Sequence, residues 1–303
     1  MESRQWILTW LLIIFHPLEA AKEEDLSTSL SEGQWFHAER HMEELDQYLR
    51  EYSGVQDLSC LDVFGYSGTI AKCWRQKGWS AEQYDIGLNH RSNDLLSKRG
   101  FLQLCRLGMR LIAGGMVVAG PPCAMNIFLS TSVHRRHELG PEGDVENFRV
   151  RMSNLLAHNF AVWLELLNRY RKVWFIIEQP CSSYLFKMNC MLALAAVACC
   201  TKITTWMAFF QHDMLKPTHL MGNLPGIKGL TRVMRKADRE KFKKRFELRQ
   251  AKRKSPRTYV VKGVKGQSKK TVQGGKHLCL SANYTPAFAR AIFKIWVQSL
   301  QDL

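Results

Sequence analysis

Four short strand-like runs, three of them apolar and each halted by glycine or proline, constrain this chain more than anything else in it. They read "LSCLDVF" (58–64), "AEQYDI" (81–86), "GMVVAG" (115–120) and "KVWFIIEQP" (172–180). Their length and β-branched content suit buried strands, and the glycines and prolines stop them. Stretches of helical period lie between: "TIAKCWRQKG" closing at Gly78, the later part of 91–111, and the long "VENFRVRMSNLLAHNFAVWLELLNRYR". Strands that alternate with helices bury both faces in a parallel sheet wrapped on two sides. The pattern therefore predicts an α/β fold, Rossmann-like and doubly wound, around a mostly parallel sheet. With 303 residues, 46% of them hydrophobic, the chain can fill one large domain, or one domain with an appendage.

The flanks extend this pattern. A capping box from Ser31 to Gln34 opens a helix carrying Trp35, Leu45 and Leu49. A helix over 185–200 and a strand over 203–210 follow the fourth run. Thr285 caps a C-terminal helix that has Pro286 in its first turn.

The charge is concentrated. Residues 228–276 hold nineteen Lys/Arg against three Asp/Glu, a surplus equal to the net charge of +16 of the whole chain. A near-neutral body with one basic segment points to a polyanionic partner, DNA or RNA. That segment reads as a charged helix running into a flexible Gly/Lys-rich stretch, and the core-like composition returns after it. Four regions follow: 1–30, an apolar segment and linker; 31–227, the α/β body; 228–276, a basic insertion for nucleic-acid binding or target recognition; and 277–303, a strand and helix that rejoin the body.

Nine cysteines form no C-x-x-C pair and no zinc-ligand spacing, and no metal is expected. They suit a reducing compartment that contains nucleic acid, such as the nucleus. "WILTWLLIIF" (6–15) has the length of a signal-peptide core and is too short to span a bilayer. Secretion is the minor alternative it raises; a helix packing on the core is the other reading. No integral membrane association is expected.

In a doubly wound sheet, ligands bind outside the carboxyl ends of the strands, and the chemistry-bearing residues fall there. Gly65 and Gly68 lie in the turn after the first strand, where backbone can approach a ligand. Asp85 follows about 20 residues later, the usual spacing for a carboxylate on a ribose. Asp94 offers a further acid in a loop. Cys123 follows Pro121 and Pro122 at the end of the third strand, and Glu178 ends the neighbouring one. A thiol and a carboxylate over a nucleoside-type turn suit nucleophilic chemistry.

The order "LDVFGYSG", "YDI", "ND", "GPPC", "EQP" resembles the C5-cytosine methyltransferases, a branch of the class I S-adenosylmethionine-dependent methyltransferases. "KPTHLMGN" (216–223) and "ANYTPAFARAI" (282–292) are similar to two later segments of that family, which also places its target-recognition insertion between them. The resemblance implies S-adenosyl-L-methionine as cofactor, held by Asp62, Phe64, Gly65, Gly68, Asp85, Asp94, Pro121 and Asn283. It implies Cys123 as nucleophile toward C6 of cytosine, and Glu178 at the ring N3 and amino group. The basic residues Arg135, Arg136, Lys216, Lys243, Lys244, Arg245, Lys252, Arg253 and Lys254 are the candidates for nucleic-acid contact. Three positions depart from the family. Tyr66 stands where the turn has glycine, Gln179 replaces an asparagine, and 181–215 lacks the Q-x-R-x-R arginine that braces the base. Arg135, Arg136 or Lys216 are candidates to replace that arginine. Two functions are thus open: a cytosine-C5 methyltransferase on DNA or RNA, or a catalytically inactive protein that keeps the fold and binds nucleic acid.

Overall fold

A computed structural model describes residues 35–127, 131–250, 258–262, 268–272 and 283–301. Strands β1 (Leu58–Val63), β2 (Ala81–Tyr84), β3 (Leu111–Ala119) and β4 (Trp174–Pro180) pair in parallel in the order β2-β1-β3-β4. Strand β6 (Pro217–Gly222) runs antiparallel between β4 and β5 (Thr201–Trp206) and completes a six-stranded sheet. The α/β, mostly parallel architecture expected from the alternation is what the chain adopts.

Helices cover both faces, and residue parity decides which face each strand residue meets. Leu61, Val63, Val117, Ala119, Phe175 and Ile177 join one core with helices α1 (Met42–Arg50), α3 (Lys98–Met109), α5 (Phe148–Tyr170) and α6 (Asn189–Val197), and a single-turn helix α4 (Thr131–His134) precedes α5. Cys60, Met116, Val118 and Ile176 join the other with α2 (Thr69–Gln76) and α8 (Pro286–Leu300). Trp296 of α8 packs on Trp74 of α2 at 5.5 Å and donates from its indole to the Gly114 carbonyl at 2.7 Å. The helix beyond the basic insertion thus returns to the body.

The chain crosses from β1 to β2 on one side and then returns past β1 to β3 on the other, so the strand order reverses beside β1. A crevice opens at such a switch point, outside the carboxyl ends of the two diverging strands. Asp62 and Glu178 share the parity of Val118 and Ile176. They face the α2/α8 side at that crevice.

Several boundaries differ from the sequence expectation. The run 203–210 is strand only as far as Trp206; Met207–Phe210 close into a 3-10 turn that buries Met207, Ala208 and Phe210. The run 185–200 is split by extended Met188 (φ −67°, ψ 142°) into a 3-10 turn, Leu185–Lys187, and α6. The helix after residue 34 begins as a 3-10 turn at Ala38. Its expected capping box and the apolar segment 1–30 lie outside the described residues. In the basic insertion, α7 (Lys236–Gln250) is helical as expected. The stretch read as flexible instead contains a pair of antiparallel strands, β7 (Thr258–Lys262) and β8 (Ser268–Val272), at its Thr- and Val-bearing ends. The strand expected near 277 lies outside the described residues. No helix among the described residues is long and apolar enough to cross a membrane.

Candidate active site

The turn after β1 is built around a buried carboxylate. Asp62 accepts from the Ala71 amide in the first turn of α2 at 3.3 Å through Oδ2, while Oδ1 is buried without a partner. Burial pushes its carboxyl up to about 7, against the pull of the Ala71 and Ile70 amides, and Asp85 adds to the rise. Gly65 has to be glycine here, since a Cβ would stand 1.8 Å from Asp62 Oδ1. Gly68 (φ +61°) occupies the left-handed region and abuts Gln83, whose amide donates to the Gly65 carbonyl at 3.0 Å. Phe64 holds a positive φ of 59° and meets Phe160 edge-on at 5.3 Å. A non-glycine residue in that region stores strain, and the turn is fixed tightly enough to keep it.

Asp85 lies just past β2 and accepts from the Gly87 amide at 2.8 Å. Burial raises its carboxyl, with the Gly87 and Tyr66 amides opposing. The Tyr66 ring lies over Gly87, where an added Cβ would meet it at 2.8 Å, and is itself about half exposed. Tyr66 therefore walls the crevice beside Asp85. Asp94 accepts from the Leu96 amide at 3.0 Å, and burial raises it as well. Asp94 does not cap α3; Ser97 does, by accepting from the Gly100 amide.

The thiol and the second carboxylate meet across β3 and β4. Val118 pairs with Ile176 and Ala119 with Ile177, so the parallel register carries Gly120 alongside Glu178. Glu178 is buried, and its Oε1 lies 3.3 Å from Lys216 Nζ. Lys216 sits in the strained turn into β6 (φ 38°). The antiparallel β6 is what brings this lysine back over the end of β4.

Cys123 is half-buried. Burial first, and then the Glu178 carboxylate, push its thiol up to about 11, while Lys216 pulls the other way. A cation beside a thiol lowers it, but here the lysine is outweighed by desolvation and by its own acidic partner. Buried Gln179 locks the loop in place, donating to the Pro121 carbonyl at 2.7 Å and accepting from Ser183 Oγ at 2.8 Å. Asn126 closes the turn, its amide N–H meeting the Cys123 carbonyl at 2.8 Å.

Tyr284 completes the wall. It stands just ahead of α8, 7% exposed, with its hydroxyl buried and unpartnered. Glu178, Asp62 and Cys123 are its electrostatic neighbours. No sequence signal marked it, because the resemblance rested on the flanking Asn283 and Pro286. Asn283 is solvent-exposed.

The basic candidates separate into different environments. Arg136 is not a surface contact: it is 1% exposed and donates to the carbonyls of Met125 (2.8 Å) and Pro141 (2.6 Å) and to Asn154 Oδ1 (2.8 Å). The carbonyls of a tight loop need a donor, and this guanidinium supplies it. It clamps the segment after Cys123 onto α5. Arg135 points outward and pairs with Asp144 at 3.5 Å. Lys216 belongs to the Glu178 cluster. Lys243 and Lys244 are exposed on α7. Arg245 lies in the same helix, and Lys252, Arg253 and Lys254 are outside the described residues. The start of α7 docks on the body through Phe242 against Phe209 at 5.1 Å and Arg239 over the Trp206 ring. Among the described residues no His/Cys/Asp/Glu group is arranged to hold a metal.

Comparison with protein-family models and with curated proteins returns no match.

Proposed function

We propose that this chain is an S-adenosylmethionine-dependent methyltransferase acting at C5 of cytosine in DNA. The observation that carries the reading is the Cys123 thiol and Glu178 carboxylate at the ends of adjacent parallel strands, with Lys216 paired to Glu178. The crevice chemistry suits the cofactor. Asp62 Oδ1 is an unpartnered buried acceptor, Gly65 and Gly68 form a cradle that a Cβ would fill, and Asp85 offers a carboxylate one strand away. These residues, with Phe64, Asp94 and Pro121, would hold the nucleoside and methionine parts. When bound, the cofactor supplies an electrophilic methyl group to the activated C5.

The chain's own residues do the rest. A cytosine flipped out of the stack enters over Cys123. The Cys123 thiolate adds to C6, and the electron pair of the C5–C6 bond shifts toward N3. Glu178 holds a proton at N3 and accepts from the amino group, dispersing the carbanion character. Lys216 orients Glu178 and opposes the rise of the thiol. After C5 is substituted, loss of its proton to a base expels the thiolate and restores the ring. The basic segment meets phosphates.

Calorimetric titration with S-adenosylmethionine tests the cofactor, with wild type beside Asp85→Ala. Tritium-methyl transfer to DNA and to RNA tests the reaction, with Cys123→Ser as the comparison. Binding lost in the first variant and transfer lost in the second is the expected result; transfer that survives Cys123→Ser sinks the reading. A second reading, a non-catalytic nucleic-acid-binding protein, draws on the Cys123 thiol being held near 11. It requires nucleic-acid binding without transfer.

A further inference from the structure

The Tyr284 hydroxyl is, with Asp62 Oδ1 and Glu178 Oε1, a buried crevice atom that makes no hydrogen bond among the described residues. A buried hydroxyl without a partner forgoes a hydrogen bond that water would supply. This one has no partner among the described residues, although Glu178, Asp62 and Cys123 are its electrostatic neighbours. It fills the space that Gly120 leaves open. A Cβ at residue 120 would meet the Tyr284 hydroxyl at 2.4 Å and Glu178 Oε2 at 3.8 Å. The ring is held independently of the hydroxyl by Phe288, at 5.4 Å. A tyrosine fixed by its ring, with its polar tip unused beside Glu178, is suited to a ligand.

The acceptor side of the crevice is already supplied by Glu178, and Lys216 is committed to Glu178 at 3.3 Å. A neutral phenol adds a donor. A pyrimidine ring with an amino group, a ring nitrogen and a carbonyl needs both an acceptor and a donor. We infer that Tyr284 is a substrate-contact residue whose hydroxyl donates to the ring carbonyl of the bound pyrimidine, bracing the base from the α8 side. It thereby occupies the role left open by the missing arginine between 181 and 215. This inference rests on the proposed cytosine chemistry and extends it to a residue outside the thiol–carboxylate pair.

The test uses the full chain, wild type beside Tyr284→Phe, with Cys123→Ser as the blank. The probe is a DNA duplex carrying 2-pyrimidinone. That ring keeps the carbonyl and adds a thiol across its C6 position without needing methyl transfer. Adduct formation is followed on denaturing gels at alkaline pH, and ligand-free melting is recorded in parallel. Tyr284→Phe is expected to melt at or above the wild-type temperature, since it removes only an unsatisfied hydroxyl, and to form adduct roughly 10-fold or more slowly. Replacing the probe's carbonyl oxygen by sulfur, a weaker acceptor, is expected to slow the wild type by a larger factor than the variant. Equal adduct rates in the two proteins overturn the inference alone, and so does a Phe variant that melts several degrees lower. No adduct in the wild type overturns the underlying cytosine reading, and the inference with it.

Discussion

At the scale of single residues, the crevice groups depart furthest from their behaviour in water. Asp62 ionises near 7 in the folded chain, against an ordinary 3.8. The folded state therefore holds a proton that the unfolded state has already released. Stability attributable to this group is complete below about 4, falls as pH rises to about 7, and stays flat above. The shift corresponds to a loss on the order of 4 kcal/mol. Asp62→Asn is expected to abolish that slope. The variant should unfold at higher denaturant than wild type at pH 8 and at the same concentration near pH 4, while losing affinity for the cofactor. Equal pH profiles in urea titrations would show that Asp62 is not desolvated. Cys123 gives a second readout. Its thiol, held near 11, should react with iodoacetamide more slowly than exposed Cys199 at pH 8, with a rate that climbs toward pH 11. Lys216→Met should slow it further, because the group opposing Glu178 is gone. Peptide mapping by mass spectrometry separates the two cysteines, and faster labelling of Cys123 would contradict its burial.

At the scale of elements, the segments 123–127 and 135–147 depend on Arg136 more than on regular structure. Its guanidinium meets two carbonyls and Asn154, and burial lowers it only to about 10, so it stays charged at neutral pH. Arg136→Met would strand those acceptors and is expected to cost about 3 kcal/mol, seen as a lower urea midpoint at unchanged slope. A midpoint within experimental error of wild type would mean these segments are held by something else. This is also where sequence reading reached its limit. "HRRH" looks like a solvated basic loop, and nothing in its spacing tells the inward arginine from the outward one. The strands were legible because glycine and proline punctuate apolar runs. The run through Phe210 misled because tertiary burial of Met207 and Phe210, not strand pairing, keeps it apolar. Asp85, Cys123 and Glu178 could be singled out because each lies at or just past the end of a strand, whereas Asp62 came only with the family resemblance. Lys216 could be named but not paired, since its place depends on β6 running antiparallel beside β4. Tyr284 carried no local signal; the packing of α8 on α2 sets its position.

At the scale of the whole molecule, charge is segregated from chemistry. The crevice is lined by acids, and the excess of positive charge sits in 228–276, of which α7 docks by its first turns and exposes Lys243 and Lys244. If these lysines meet phosphates, log affinity for DNA should fall linearly with log salt. Lys243→Gln with Lys244→Gln should flatten that slope by roughly 1–2. An unchanged slope in fluorescence-anisotropy titrations would remove α7 from the interface. The order of the chain has a further consequence. Asp62 and Tyr284 line one crevice yet lie about 220 residues apart, with the basic insertion translated between them. During synthesis at about 5–20 residues per second, the sheet emerges well before α8 does. For those seconds the surface of Ile70, Trp74 and Val118 that α8 later covers is open on the ribosome. A message broken off within the insertion would release a nearly complete sheet with that sticky face uncovered and the crevice lacking one wall, a product suited to chaperones and proteases rather than to catalysis.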